Sequence, residues 1–91
     1  MNKRREVTED EKLYEVIIGM GYTLKKQRGE INKAFKLGKP YYITFGRKVH
    51  TDDIIWAAKE VFMCAGYNPS SYNFELDLCG RAYLVKVTVT N

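Results

Sequence analysis

The 91 residues include two cysteines, two prolines, one histidine and one tryptophan, and these shortages exclude several classes of protein. Cys64 and Cys79 are too few for a disulfide framework and read as reduced. Cys64 falls in an apparent helix, where a small buried thiol is the expected state. The lone histidine, His50, has no close-spaced partner, and with the two cysteines it forms no metal-binding pattern. No GxxxxGK[ST] or GxGxxG loop occurs, since Gly19-Met20-Gly21 ends a helical pattern instead of opening one. Asp52 and Asp53 are adjacent, and neighbours on a helix do not face each other. Their place in a first helical turn already has an electrostatic reason. We therefore expect no enzyme, no cofactor and no metal. An RNase reading would have only His50 and Tyr42 to work with, and no general acid–base pair. No apolar run is long enough to span a bilayer, and the opening MNKRREVTEDEK lacks the apolar core of a secretion signal. The expectation is a cytoplasmic chain without membrane contact.

The content that is present is that of a globular domain, with 45% hydrophobic and 29% charged residues. Residues 1–7 read as a flexible basic tail and 8–91 as one domain. Thr8-Glu9-Asp10-Glu11 fits a capping box, and Leu13, Val16, Ile17 and Met20 recur at helical spacing up to Gly21. Alternation over 22–27 predicts a strand with Tyr22 and Leu24 inward, and Arg28-Gly29-Glu30 a turn. INKAFKL is ambiguous: Ile31, Phe35 and Leu37 fit a strand face, which is favoured, while Ile31, Ala34 and Phe35 fit a short helix. Gly38-Lys39-Pro40 turns the chain into a strand over Tyr41–Phe45, with Tyr41, Ile43 and Phe45 on one face and Tyr42 and Thr44 on the other.

Thr51, the two acids and Gly66 delimit a second helix, with Ile54, Ala58, Val61, Phe62 and Ala65 as its buried stripe. Two strands follow, joined at Cys79-Gly80-Arg81. Tyr72, Phe74, Leu76 and Leu78 line one face of the first, and Tyr83, Val85, Val87 and Val89 one face of the second. The expected fold is α+β in the order α-β-β-β-α-β-β, an antiparallel sheet with two helices packed on one face.

Charge is unevenly spread. Residues 1–24 carry a net −1, 25–48 a net +7 and 49–91 a net −2, which together make the overall +4. The central block holds Lys25, Lys26, Arg28, Lys33, Lys36, Lys39, Arg47 and Lys48 against Glu30 alone. Within it, KLGKPYYITFGRK sets Tyr42 on the outward face of a strand whose ends are basic. Such a surface neutralises phosphates and displaces counterions, so these eight cations and Tyr42 form a candidate nucleic-acid site on the sheet. The plainer account is a solvated edge strand whose lysines block unwanted pairing.

The segments EKLYEVIIGMGYTLKKQRGE, FKLGKPYYITF and TDDIIWAAKEVFMCAGY resemble the HicA-type toxin family over residues 11–67. The likeness lies in element order and in Gly21-Tyr22, Gly38-Lys39-Pro40 and Ala65-Gly66. It implies a fold of the double-stranded-RNA-binding-domain type and a precedent for RNA on its surface. The family's G-S-H turn has Gly29-Glu30-Ile31 in its place, so the catalytic histidine has no counterpart and nuclease activity does not carry over. The hairpin over 72–90 has no place in the minimal toxin.

Two functions follow as expectations. One is a small non-catalytic regulatory domain that binds RNA, DNA or a nucleoprotein complex. The other is a phage or mobile-element inhibitor, anti-CRISPR-like, that docks on a host nuclease or defence complex by protein contact; seven tyrosines suit an interface. Homodimerisation by strand pairing stays open.

Overall fold

The computed structural model describes the backbone of residues 2–45, 51–79 and 82–90, and the side chains of 13–45, 52–77 and 82–90. Helix α1 spans Asn2–Lys26, α2 Arg28–Lys36, strand β1 Tyr41–Phe45, helix α3 Thr51–Cys64, strand β2 Tyr72–Cys79 and strand β3 Ala82–Val89, with a short 3₁₀ turn at Pro69–Ser71. The fold is α+β, and its sheet is antiparallel in the order β1-β3-β2. The expected turn Gly80-Arg81 lies outside the described residues, though Cys79 pairs with Ala82 on either side of it. No helix among the described residues is long and apolar enough to cross a membrane.

The two middle segments differ from expectation. Residues 22–27 and 31–37 are not strands: the first completes α1, with Gln27 as the joint, and the second belongs to α2. Ile17, Gly21 and Leu24 are buried at helical spacing, whereas Tyr22, expected inward, is 63% exposed. On α2, Ile31 is buried, Ala34 and Phe35 are partly buried, and Leu37 is exposed; the helical alternative for this segment is the one that forms. Helix α1 also starts at Asn2, ahead of the cap expected at Thr8, so the backbone of residues 2–7 is helical.

Gly21 does not stop α1. Its φ is not positive, and a Cβ built on it would collide with the Cys64 Cβ and lie 3.2 Å from the Val61 carbonyl oxygen. The glycine lets α1 approach α3 closely. Tyr14 meets Trp56 and Gly21 meets Cys64, so residue numbers rise together along both helices and they run parallel. Cys64 is consequently at the helix–helix seam but exposed, not the buried thiol expected.

Helices α2 and α3 do end as glycine signals suggest. Gly38 (φ 74) and Gly66 (φ 94) adopt the left-handed conformation. The Lys39 and Gly38 N–H groups donate to Ala34 and Phe35 carbonyls at 2.9 and 3.0 Å, and those of Tyr67 and Gly66 to Phe62 and Met63 at 2.9 and 3.0 Å. Both are Schellman caps.

The core joins the inner sheet face to α3. Ile43, Phe45, Val85 and Val87 meet Ile54, Ala57, Ala58, Val61, Phe62 and Ala65, all 1% exposed or less. Alternation in β1 matches the expected faces: Ile43 and Phe45 are buried and Tyr41 partly so, while Tyr42 and Thr44 are exposed.

Two glycines only two residues apart, on nearly opposite faces of α1, therefore respond oppositely to alanine. Gly21→Ala must push α1 from α3 and should destabilise by about 1–3 kcal/mol. Gly19 has nothing within 4 Å of an added Cβ, so Gly19→Ala should stabilise by roughly 0.5–1 kcal/mol through helix propensity. Urea denaturation of both variants checks the pair; equal effects would mean that α1 and α3 are not in close contact.

Candidate nucleic-acid interface

The cations expected to share the outward sheet face with Tyr42 lie elsewhere. Lys25 and Lys26 form the last turn of α1, Arg28, Lys33 and Lys36 lie on α2, and Lys39 follows its cap; all six are exposed. Lys25 and Lys26 sit there because α1 continues through Gly21. Arg47 and Lys48 lie outside the described residues, as does His50. Register places Tyr42 beside Lys86, and Lys86 beside Glu75 on its other flank; Thr44 and Leu84 line up with Asp77. The described outward sheet face thus mixes one lysine with two carboxylates. It is not a basic surface.

The described cations lie instead along a shoulder of consecutive elements, the end of α1, α2 and its cap, each of them exposed. With Ile31, Ala34 and Phe35 turned inward, the helical period sets Lys33 and Lys36 outward, one turn apart with Gly29. Both lie in the last turn of α2, where positive charge also offsets the helix dipole. Over residues 25–39 six cations face the single acid Glu30. Lys26 has its ammonium 4.7 Å from the ring centroid of Tyr22, a full turn earlier.

Arg28 is engaged with the body of the protein. Its guanidinium carbon lies 5.7 Å from the Tyr67 ring centroid, and its Nη1 is 3.2 Å from where a Cβ on Gly66 would stand. The Tyr67 hydroxyl donates to Asn32 Oδ1 at 2.8 Å. These contacts pin the start of α2 to the end of α3. Burial raises the Tyr67 phenol pKa above its usual value and Tyr72 adds to this, while Arg28 pulls it down. Arg28 therefore positions α2, and the lysines are the less engaged cations.

Sequence reasoning missed a second exposed feature. Tyr14, Ile18 and Tyr22 recur every fourth residue on α1 and are 55%, 60% and 63% exposed. Tyr14 packs edge-to-face on the half-exposed Trp56 of α3 at 6.4 Å between centroids. The signal was legible as an i, i+4, i+8 stripe, but ending the helix at Gly21 hid it. Among the described residues no group of His, Cys, Asp and Glu side chains could hold a metal ion.

No protein-family description, curated protein or solved structure matches this chain.

Proposed function

We propose that the protein is a small, non-catalytic, cytoplasmic nucleic-acid-binding module that grips the phosphate backbone through Lys25, Lys26, Lys33, Lys36 and Lys39. The observation that carries this reading is the density of exposed cations on one helix-joint-helix segment, opposed by one carboxylate. Lysines on flexible stems suit phosphate holding more than base reading, so sequence preference should be weak. Tyr22, exposed beside Lys26, adds a ring on which an unpaired base can stack. The HicA-type resemblance contributes only a precedent for RNA on a small α+β surface, because α2 occupies the stretch aligned with that family's turn.

Salt titration tests the reading. With about five phosphate contacts, log K against log salt should have a slope of about −3.5 for single strands and −4.5 for duplex DNA. Affinity for a labelled 20-nucleotide probe should then fall roughly 10²–10³-fold between 50 and 200 mM salt. A flat salt response, or no retention of RNA or DNA at 50 mM, would remove it.

A second reading, inhibition of a host nuclease or defence complex by protein contact, is favoured by the apolar stripe of Tyr14, Ile18 and Tyr22 with Trp56. Aromatic residues dominate binding energy at interfaces. A stoichiometric protein partner that survives nuclease treatment and is lost in Tyr22→Glu would favour it over the first.

A further inference from the structure

We infer that the free edge of β1 and the flank of α1 form a docking groove for an extended peptide strand with an uncharged centre and one acidic end. It does not rest on the nucleic-acid reading, although Lys26 and Lys39 belong to both surfaces. The groove has a volume of about 310 Å³; Gly19, Met20, Thr23, Leu24 and Gln27 make one wall and residues 41–44 of β1 the other. Four consecutive residues of one strand can line a groove only when it opens on the strand's edge, since alternate side chains leave by opposite faces.

That edge is unpartnered among the described residues. In the order β1-β3-β2, β1 pairs on one side only, and among the described residues its backbone makes no hydrogen bond outside the sheet. An edge of this kind is a template for an added strand unless something blunts it. The other edge strand, β2, is blunted by exposed Glu75 and Asp77. The run Tyr-Tyr-Ile-Thr-Phe of β1 has no charge and no proline.

The opposite wall has been kept low. Gly19 is a glycine inside a helix, where it weakens the helix relative to alanine. No neighbour comes within 4 Å of a side chain placed there, so packing does not require it, in contrast to Gly21. What its bareness does leave is room beside β1. The Thr23 hydroxyl is turned back onto the Gly19 carbonyl at 3.0 Å, which keeps it from crossing the groove.

Charge selects the occupant. No lining residue is charged, so the strand's centre is neutral. The rim is cationic at the Tyr41 end, where exposed Lys26 is one turn beyond Thr23 and exposed Lys39 stands two residues before Tyr41, while exposed Glu15, one turn before Gly19, marks the other end. A second β1 is the wrong occupant, because Lys39 precedes the strand and Arg47 and Lys48 follow it in sequence. A symmetric antiparallel pairing would bring these like-charged ends together, which is destabilising.

The probe is a fluorescent seven-residue peptide of alternating valine and threonine with an aspartate at one end. It is compared with a lysine-ended version and with one carrying alternate backbone N-methyl groups. We expect saturable binding of the aspartate peptide, at least fivefold weaker binding of the lysine peptide, and at least tenfold weaker binding of the N-methylated one. Gly19→Leu should fill the groove and cost tenfold or more, with helix content by circular dichroism unchanged. Independently of any variant, bound peptide should slow amide exchange within residues 41–45. Lys33→Glu/Lys36→Glu should leave peptide affinity unchanged while weakening nucleic acid. No binding by the aspartate peptide, equal binding after N-methylation, exchange protection confined to other elements, or self-association of the chain through β1 would each overturn the proposal.

Discussion

Reversing Lys25, Lys26, Lys33 and Lys36 together to glutamate is expected to weaken binding of RNA or DNA by at least a hundredfold at 100 mM salt. The segment 25–39 carries six cations and one acid, a net +5, and four reversals take it to −3. Four phosphate contacts are lost and replaced by repulsion. At about 1 kcal/mol for each unit-charge pair in contact through water, losing the four attractions alone costs about 4 kcal/mol. That is close to a thousandfold, so a hundredfold is a lower bound. Folding should survive, because all four side chains are exposed. The main cost is the lost complement to two helix C-termini, about 0.3–1 kcal/mol per residue. Lys59→Glu, exposed on α3 with its ammonium 5.9 Å from the Phe74 ring centroid, is the control and should change affinity less than threefold. Anisotropy titrations with single- and double-stranded probes read both outcomes. If the fourfold reversal binds as well as the parent protein, the shoulder is a solvated surface and the phosphate reading is wrong.

The largest stability effect should come from Phe62→Ala, at about 3–5 kcal/mol. Phe62 is fully buried, and five rings surround it. Tyr67 lies at 4.8 Å between centroids, Tyr72 and Phe74 at 5.4 Å, Tyr41 at 6.4 Å and Phe35 at 6.5 Å. These come from α2, β1, β2 and the loop after α3, so one side chain touches nearly every layer. Small domains have total stabilities of about 5–15 kcal/mol, and one of this size should lose roughly 15 °C or more in Tm. The damage should reach the shoulder as well. Tyr67 is held by Phe62 and in turn holds Asn32 and Arg28 at the start of α2. Phe62→Leu, which keeps much of the volume, should lose less. A Phe62→Ala protein with an unchanged urea midpoint would contradict this packing.

Much of the fold was legible in local chemistry. Thr51, Asp52, Asp53 and Gly66 mark the limits of α3, and the spacing of Ile54, Ala58, Val61, Phe62 and Ala65 names its buried face without reference to other elements. Alternation does the same for Tyr41–Phe45 and for Tyr72, Phe74, Tyr83, Val85 and Val87 of the β2–β3 hairpin, while Leu76 and Val89, assigned to the same faces, are exposed. Period 2 and period 3.6 are distinct wherever a run is long enough to show them. In INKAFKL it was too short to tell them apart, and the charge-rich segment 22–27 offered only Tyr22 and Leu24 to judge by.

The charge excess of residues 25–48 was likewise a property of the sequence, but its location was not. A sheet placement followed from reading Gly21 as a helix stop, which a left-handed glycine supplies. The same residue type also permits two helices to meet backbone to backbone, and which role applies depends on whether another helix arrives there. Cys64 and Val61 of α3 do arrive, from 43 and 40 positions away. That contact carries α1 on to Lys26 and turns Tyr22 out to solvent beside it. It moves the cations from strand to helix and leaves the flank of α1 facing the bare edge of β1. Composition and periodicity determined the class of fold, its core and the presence of a basic segment. Long-range packing at one glycine decided which surface that segment occupies, because steric room between two helices is a property of the pair and is written in neither alone.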